Sequence, residues 1–152
     1  MQTIRALLAC CIALVPLASD AACEARSDPN VLPLVELYTA EGCNDCPPAD
    51  AWLARAAKGD AQSPAVYLAF HVDYWDDIGW HDRFGDEHHT QRQKLKTLLN
   101  GGGRTIYTPQ VMVGNEIRAP WRKKNRFARL LDEVRSRDGP VSIGIDAKIR
   151  AD

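Results

Sequence analysis

Two cysteines separated by two residues form the most chemically distinctive motif of the chain. Cys43 and Cys46 enclose Asn44 and Asp45, and the motif lies between an apolar segment and a segment with helical spacing. At a helix N-terminus, unpaired N–H groups and the helix dipole favour a thiolate, which is the attacking species in disulfide exchange. We therefore predict that Cys43 attacks a disulfide and that Cys46, one helical turn later, resolves the mixed disulfide.

A second group of chemically active residues follows the next apolar run. The segment from His71 to Asp82 (HVDYWDDIGWHD) is dense in His, Asp and Trp. A metal site is one interpretation, because histidine and carboxylate side chains are common metal ligands. The other, which we favour, is a loop in which Trp75 and Trp80 cover the sheet edge and the aspartates cap turns. We expect His88 and His89 to face solvent on a helix rather than to bind metal.

The residues that flank the cysteine motif have the patterns of a strand and a helix. Leu32 to Tyr38 is a short apolar run, which predicts a buried strand. After the motif, apolar residues recur at helical spacing as far as Ala57. Pro47 and Pro48 suit the first turn of a helix, where a missing N–H has no cost. The sequence from Lys58 to Asp60 is expected to end this helix.

The same two patterns recur in the middle of the chain. Ala65 to Val72 (AVYLAFHV) is predicted to be a second buried strand. Two strands joined by a helix of this length form a right-handed unit with parallel strands. Glu87 to Leu99 is predicted to be a helix whose inner side carries Leu95, Leu98 and Leu99, and the following three glycines should end it.

A hairpin and a helix are predicted after the glycines. Gln110 to Val113 is the third strand, Gly114 and Asn115 give a tight turn, and Glu116 to Arg118 returns as the fourth strand. The closing helix begins near Pro120 and stops before Gly139. Its apolar positions are Phe127, Leu130, Leu131 and Val134.

The predicted element order is β-α-β-α-β-β-α. This order fits an α/β, thioredoxin-like fold, with a four-stranded mixed sheet flanked by helices, which we assign to residues 31–138. Residues 139–152 contain a strict apolar alternation from Val141 to Ile149, which predicts one extra, half-buried C-terminal strand. A single strand cannot bury its own face. It therefore pairs with the sheet edge or another chain, or it begins a truncated β-rich region.

Pro109 matches the chain position of a proline that is cis in thioredoxin-like proteins. It opens the third predicted strand, and in that fold this proline packs beside the cysteine pair. We predict a cis bond that exposes the Thr108 backbone to a bound peptide, so Thr108 and Pro109 are candidate substrate-binding residues. A trans proline at the start of an edge strand is the alternative.

Glu36 is the third candidate catalytic residue, with Cys43 and Cys46. It lies inside an otherwise apolar strand, seven residues before Cys43. Thioredoxins often keep a buried acid on this strand that transfers a proton to the resolving cysteine, although the match here needs one extra loop residue. The alternative is a carboxylate that faces solvent or forms an ion pair.

Several motifs together resemble one bacterial secreted family, called domain of unknown function 1223. The resemblance covers roughly Leu34 to Ile117 and implies a thioredoxin-like fold and export, but it implies no activity. Such proteins usually continue into a further β-rich region, which in this chain breaks off after Ile149. The matching motifs are ELYT from Glu36, GCNDCPPAD from Gly42, HVDYWD from His71, Gly79-Trp80 and YTPQ from Tyr107.

The N-terminus has the pattern of a secretory signal peptide over residues 1–22. One positive charge in Met1 to Arg5 precedes an uncharged run from Ala6 to Leu17, and small residues suit cleavage near Ala21 or Ala22. The apolar run is shorter than the about 20 residues that a membrane-spanning helix needs. We therefore expect a periplasmic or secreted protein with no membrane span.

The signal peptide also sorts the five cysteines. Cys10 and Cys11 leave with it, which leaves Cys23 and the two cysteines of the motif in an environment where disulfides persist. Cys23 is a poor match to a lipoprotein acceptor, because Asp20 stands where such a site prefers Leu.

The composition gives no electrostatic basis for binding nucleic acid. The net charge is −1, with 45% hydrophobic and 26% charged residues, which is ordinary globular composition. We interpret the basic run Arg122 to Lys124 as a solvated helix face.

The leading functional hypothesis is a thiol–disulfide oxidoreductase that acts on protein or peptide thiols and disulfides and needs no cofactor. One alternative is a metal-binding or metal-delivery protein that uses Cys43, Cys46 and a histidine such as His71 or His81. The other is a non-catalytic binding module whose Cys43–Cys46 bond is only structural.

Overall fold

The computed structural model describes residues 22–27, 29–60, 64–139 and 141–148. Except for Ala22, the predicted signal peptide lies outside these residues. Contacts divide the chain into a larger unit over residues 28–142 and a smaller unit formed by the segments on either side of it. Within the described ranges, no helix is long and apolar enough to cross a membrane.

The described residues form an α/β fold of five strands and three α-helices. A single turn of π-helix over Ala56–Asp60 extends the first helix, and Gly59 in that turn has φ 95°, a value that favours glycine. The chain therefore ends this helix where the sequence predicts. The elements are β1 (Ala22–Arg26), β2 (Leu34–Thr39), α1 (Pro47–Arg55), β3 (Val66–His71), α2 (Glu87–Leu99), β4 (Gln110–Val113), α3 (Lys124–Arg135) and β5 (Gly144–Lys148).

The larger unit contains a three-stranded mixed sheet in the order β3-β2-β4. The central strand β2 runs parallel to β3, with Leu34 opposite Val66, and antiparallel to β4, with Glu36 opposite Met112. Each face of β2 supports a separate core cluster, since successive side chains of a strand point to opposite faces.

The fourth strand predicted over Glu116–Arg118 does not form, so the prediction of a four-stranded sheet is corrected to three strands. The tight turn is present, since Val113 and Glu116 exchange two backbone hydrogen bonds of 2.9 and 3.0 Å. The next backbone bond, from Ala119 N–H to Val111 O, is shifted by one residue relative to that pair. A regular antiparallel ladder cannot continue through such a shift. The Ile117 carbonyl instead accepts a hydrogen bond from the Gln110 side chain.

The first core cluster joins β2 and β4 to α1 and α3. Val35 and Leu37 of β2 are fully buried against it. The predicted core face of α3 is confirmed at Phe127, Leu131 and Val134, although α3 begins at Lys124 rather than near Pro120. Their burial removes apolar surface from water, which is the main favourable contribution to folding.

The face that α2 buries is polar, and this corrects the prediction made from its leucines. Leu95, Leu98 and Leu99 are 56, 55 and 72% exposed. The residues of α2 that are buried are Thr90, Gln93 and Thr97. The helix is held by hydrogen bonds and ion pairs, so hydrophobic spacing alone assigned the wrong side of it to the core.

The smaller unit consists of β1 and β5 in antiparallel pairing. Cys23 lies opposite Ala147, and Ala25 lies opposite Ile145. The extra strand predicted over Val141 to Ile149 is therefore present in part as β5, and its partner is β1 rather than the edge of the larger sheet. Ile145 is 62% exposed, so the strand is not half-buried as expected. Ile149 lies outside the described residues.

Candidate functional site

The cysteine motif occupies the connection between β2 and α1. Cys43 and Cys46 are joined by a disulfide, with their Cα atoms 5.4 Å apart. The Cys43 N–H donates to the Ala40 carbonyl, and the Cys46 N–H donates to the Cys43 carbonyl, each at 3.2 Å. These two turns place Cys46 at the N-cap of α1 and Cys43 in the turn before it, so the expected position of Cys46 one turn inside the helix was wrong.

The start of α1 offers few free backbone donors to a thiolate. Pro47 and Pro48 occupy the first two helical positions and have no N–H. The N–H groups of Ala49 and Asp50 already donate to the Cys46 carbonyl, at 2.8 and 3.1 Å. A thiolate on Cys43 therefore depends on the helix dipole and on the amides of the motif itself.

Both sulfurs lie in the second core cluster. Cys43 is 3% exposed and Cys46 is 0% exposed, and they pack with Tyr38 and Met112. Trp75, from the loop after β3, packs against this cluster. This packing leaves Cys43 almost no surface in contact with solvent.

Trp75 also connects that loop to the segment before β4. Its indole N–H donates to the Thr108 hydroxyl at 2.8 Å. The Thr108–Pro109 peptide bond is cis, as predicted. The structure thus brings Thr108 beside the loop that covers the cysteines.

Gln93 of α2 fixes the same segment from the other side. Its amide donates to the Tyr107 carbonyl at 2.8 Å and to the Gln110 side chain at 2.7 Å. Its carbonyl accepts from the Tyr74 hydroxyl at 3.3 Å. Sequence reasoning missed Gln93, because the core of α2 was assigned from the three leucines that follow it.

Glu36 lies on the face of the sheet that α2 covers. Its side chain is fully buried and forms ion pairs with Arg92 and with Lys96, the latter at 2.6 Å. Burial alone raises the pKa of Glu36, but the hydrogen bonds and charges of Lys96 and Arg92 outweigh it and hold the pKa below its ordinary value. These contacts match the ion-pair alternative, and the proton-transfer role of Glu36 stays a prediction.

Asp50 is a second partly buried acid, and the sequence analysis assigned it no role. It follows Cys46 by four residues, a spacing that places two side chains on the same face of a helix. Its carboxylate accepts a hydrogen bond from the Thr39 hydroxyl at 2.8 Å. Burial raises the pKa of Asp50 and the nearby Asp82 charge adds to it, although Thr39 and His71 oppose the change.

Asp50 lines a cavity of about 390 Å³ with His71 and Tyr67. The His71 ring nitrogen Nδ1 lies 2.6 Å from the fully buried Asp82 carboxylate. The Tyr67 hydroxyl is buried and has no hydrogen-bond partner among the residues that the structure describes. The arrangement combines an acid with a raised pKa, an oriented imidazole and space for water.

Asp82 holds the loop after β3 against the cysteine motif. It accepts hydrogen bonds from the backbone N–H groups of Glu41 and Phe84, at 2.8 and 2.9 Å. Burial opposes ionisation of Asp82, but these bonds and His71 hold its pKa below the ordinary value. The aspartate bonds agree with the favoured interpretation of this segment, but Trp80 is 61% exposed, so of its two tryptophans only Trp75 packs against the core.

The histidines of the chain have separate environments. His81 bonds to Asp76, and His88 is exposed as expected. His89 is half-buried and bonds to the His71 carbonyl, so its predicted exposure was wrong. Within the described ranges, no group of three or more His, Cys, Asp or Glu is placed to hold a metal ion.

Comparison with known families gives one decisive match. A family model described as a protein of unknown function, DUF1223, matches residues 34–152. The chain belongs to this family. No curated protein matches it.

The chain is also similar to a solved structure. It is the crystal structure of an Agrobacterium tumefaciens protein that was a structural-genomics target. The two are 31% identical in sequence, with a TM-score of 0.54, and the match covers 70% of this chain. It covers 46% of the Agrobacterium protein, so this DUF1223 chain spans less than half of that relative's length.

Proposed function

We propose that this protein is a thiol–disulfide oxidoreductase whose reacting pair is Cys43 and Cys46. The observation that carries the proposal is the position of the Cys43–Cys46 pair at the start of α1, in a core cluster that Trp75 links to Thr108. Protein or peptide thiols and disulfides are its substrates. Thr108 and Pro109 form the substrate-binding edge.

The architecture of the larger unit supports a thioredoxin-like interpretation. Its central strand β2 has a parallel neighbour, β3, and an antiparallel neighbour, β4, and the cysteine motif lies between β2 and α1. The N-terminal signal pattern in the sequence supports a periplasmic or secreted location. In such a compartment a disulfide of this kind persists.

The reduction of a substrate disulfide takes two exchange steps. The Cys43 thiolate attacks one substrate sulfur, so that a Cys43–substrate bond forms and the other substrate sulfur leaves as a thiolate. Cys46 then loses its proton and attacks the Cys43 sulfur. The Cys43–Cys46 bond forms, the second substrate thiolate leaves, and both released thiolates take up protons.

Asp50 is the group that takes the proton from Cys46. An acceptor must be near the thiol and must have a pKa that allows it to release the proton again. Asp50 satisfies the second condition better than Glu36, because burial raises the pKa of Asp50 whereas two cations lower that of Glu36. The cavity beside His71 has room for water to carry the proton to solvent.

Cysteine variants test the reacting pair. The exposed thiol of Cys23 would confuse the assay, so the experiment uses a Cys23→Ser background, which is also the matched control. Cys43→Ser should abolish insulin reduction, and Cys46→Ser should accumulate mixed disulfides identifiable by mass spectrometry. Full activity of the Cys43→Ser variant, or faster alkylation of Cys46 than of Cys43 in the reduced protein, contradicts the proposal.

A further inference from the structure

A second cavity lies between α1 and α3. Its volume is about 430 Å³, and all of its lining belongs to the larger unit. Trp52 and Arg55 come from α1, Phe127 comes from α3, and Trp121 and Arg122 come from the segment before α3. Small-molecule sites have volumes of about 300–1,000 Å³, so this pocket is large enough for a small ligand.

The walls of this α1–α3 pocket are aromatic. The Trp52 ring lies 5.4 Å from that of Trp121 and 5.0 Å from that of Phe127, measured between centroids. Phe127 is buried, but both tryptophans remain half-buried. A ligand with an apolar body would remove more of their surface from water, which is favourable.

The rim of the pocket carries only positive charge. Arg55, Arg122 and Lys124 line it and are exposed, and no carboxylate is among the lining residues. The Arg122 guanidinium lies 4.6 Å from the centroid of the Trp121 ring, which directs it along the aromatic wall. Among the described residues, none of the three cations forms an ion pair with a carboxylate.

We propose that the α1–α3 pocket binds an amphipathic organic anion, a carboxylate with an apolar chain. The aromatic walls take the chain, and the cations of the rim take the carboxylate. No cysteine lines the pocket, so this site is distinct from the proposed redox site, and its test does not depend on disulfide exchange.

Calorimetric titration of the whole chain with octanoate tests the proposal. Octanoate should bind with one-to-one stoichiometry, and octylammonium and octanol should bind more weakly. Hexanoate lacks two CH₂ groups and should bind up to about 15-fold more weakly than octanoate. Added salt should weaken octanoate binding, because the rim charges are exposed.

Two variants and one control assign the binding to the pocket. The double variant Arg122→Gln with Lys124→Gln should weaken octanoate binding about 3- to 10-fold, with little effect on octanol. Ala128→Phe places a ring in the pocket and should abolish binding of both compounds. Arg126→Gln removes an exposed cation of α3 outside the lining and should leave the affinity unchanged.

Three results would overturn the proposal. The first is equal affinity for octanoate and octylammonium, and the second is octanoate binding unchanged in both pocket variants. The third is a dimer, detected by analytical ultracentrifugation, that dissociates in the Ala128→Phe variant but not on addition of octanoate. The pocket would then be occupied by a second copy of the chain. Circular dichroism shows whether each variant folds. If Ala128→Phe does not fold, the double variant Arg122→Gln with Lys124→Gln provides the test.

Discussion

At the scale of single residues, the fold shifts the pKa values of two acids in opposite directions, the buried Glu36 and the partly buried Asp50. Glu36 is surrounded by cations, so its environment favours the carboxylate. Burial and the nearby Asp82 charge raise the pKa of Asp50, and they outweigh the opposing effects of the Thr39 hydroxyl and His71. Only the second arrangement suits a group that accepts and releases a proton during each turnover.

The variant Asp50→Asn should slow the reaction without lowering the stability of the fold. The amide keeps an acceptor for Thr39 but cannot take a proton, so the resolving step should slow by roughly 100-fold or more. Because the folded-state pKa of Asp50 is raised, its ionised form weakens the fold as pH rises through that pKa. The variant should therefore be at least as stable as the wild type at pH 7.

Stopped-flow measurement of mixed-disulfide resolution across pH 4–9, with a thermal melt of each protein, checks this prediction. Glu36→Gln serves as the comparison acid. If the resolution rate and its pH profile are unchanged in Asp50→Asn but altered in Glu36→Gln, the original assignment of Glu36 is the better one.

Asp45→Asn should make the cysteine pair more oxidising. Asp45 is exposed between the two cysteines, and its negative charge opposes a thiolate on Cys43. Pro47 and Pro48 provide no N–H donors at the start of α1, so few backbone donors offset the effect of that charge on the thiolate. Its removal should raise the reduction potential by about 5 to 20 mV, as expected for an exposed charge.

A glutathione redox titration measures this potential. Glu133→Gln, which removes the same charge from an exposed position on α3, should leave it unchanged. A lower potential in Asp45→Asn would show that its carboxylate does not act on the thiolate.

At the scale of elements, the Glu36 ion pairs join β2 to α2. Glu36→Gln should lower the free energy of unfolding by about 2–4 kcal/mol, less than for a wholly buried network because Arg92 remains half exposed to solvent. The folded-state pKa of Glu36 is depressed. Its contribution is therefore complete above the unfolded pKa of about 4.3 and is lost as pH falls through the folded value.

Urea unfolding at pH 7 and at pH 3 tests both statements. The difference between wild type and variant should shrink at the lower pH. Glu133→Gln breaks a solvent-exposed pair with Arg137 and should cost at most about 1 kcal/mol. If the two variants lose the same free energy of unfolding, burial of Glu36 does not strengthen its ion pairs.

The loop after β3 should control access to the disulfide. Trp75→Phe keeps the apolar cover but removes the N–H that bonds Thr108, a loss of about 1 kcal/mol. Loop opening should become about fivefold more frequent, and dithiothreitol should reduce the disulfide faster by the same factor. Ile78→Ala, in the same loop but at a side chain that is 70% exposed, is the control and should change the rate little.

Sequence patterns predicted the elements better than the sides that they bury. Strong periodicity and turn residues placed α1, α2 and β4 within a residue or two, since local chemistry decides such boundaries. The buried face of α2 depends on Gln93, whose partners lie in β4, in the segment before it and in the loop after β3. Hydrophobic spacing cannot reveal a helix held by side-chain amides and ion pairs.

At the scale of the whole molecule, the site could be predicted only in part. Cys43, Cys46 and the cis Thr108–Pro109 bond were accessible because their positions along the chain match a known order of elements. The cavity of Asp50 and His71 was not, because it forms where α1 packs on β3. The pairing of β1 with β5 was also inaccessible, since it joins the two ends of the described chain.

The bonds of Asp82 have a consequence for hydrogen exchange. One carboxylate protects the amide of Glu41, just before the cysteine motif, and the amide of Phe84, in the distant loop. Because both hydrogen bonds end on the Asp82 side chain, movement of that side chain breaks both of them. We therefore expect the two amides to exchange with deuterium in a common opening event. Their protection should therefore fall together in Asp82→Asn, and the cysteine turn would then exchange as part of the loop that covers it.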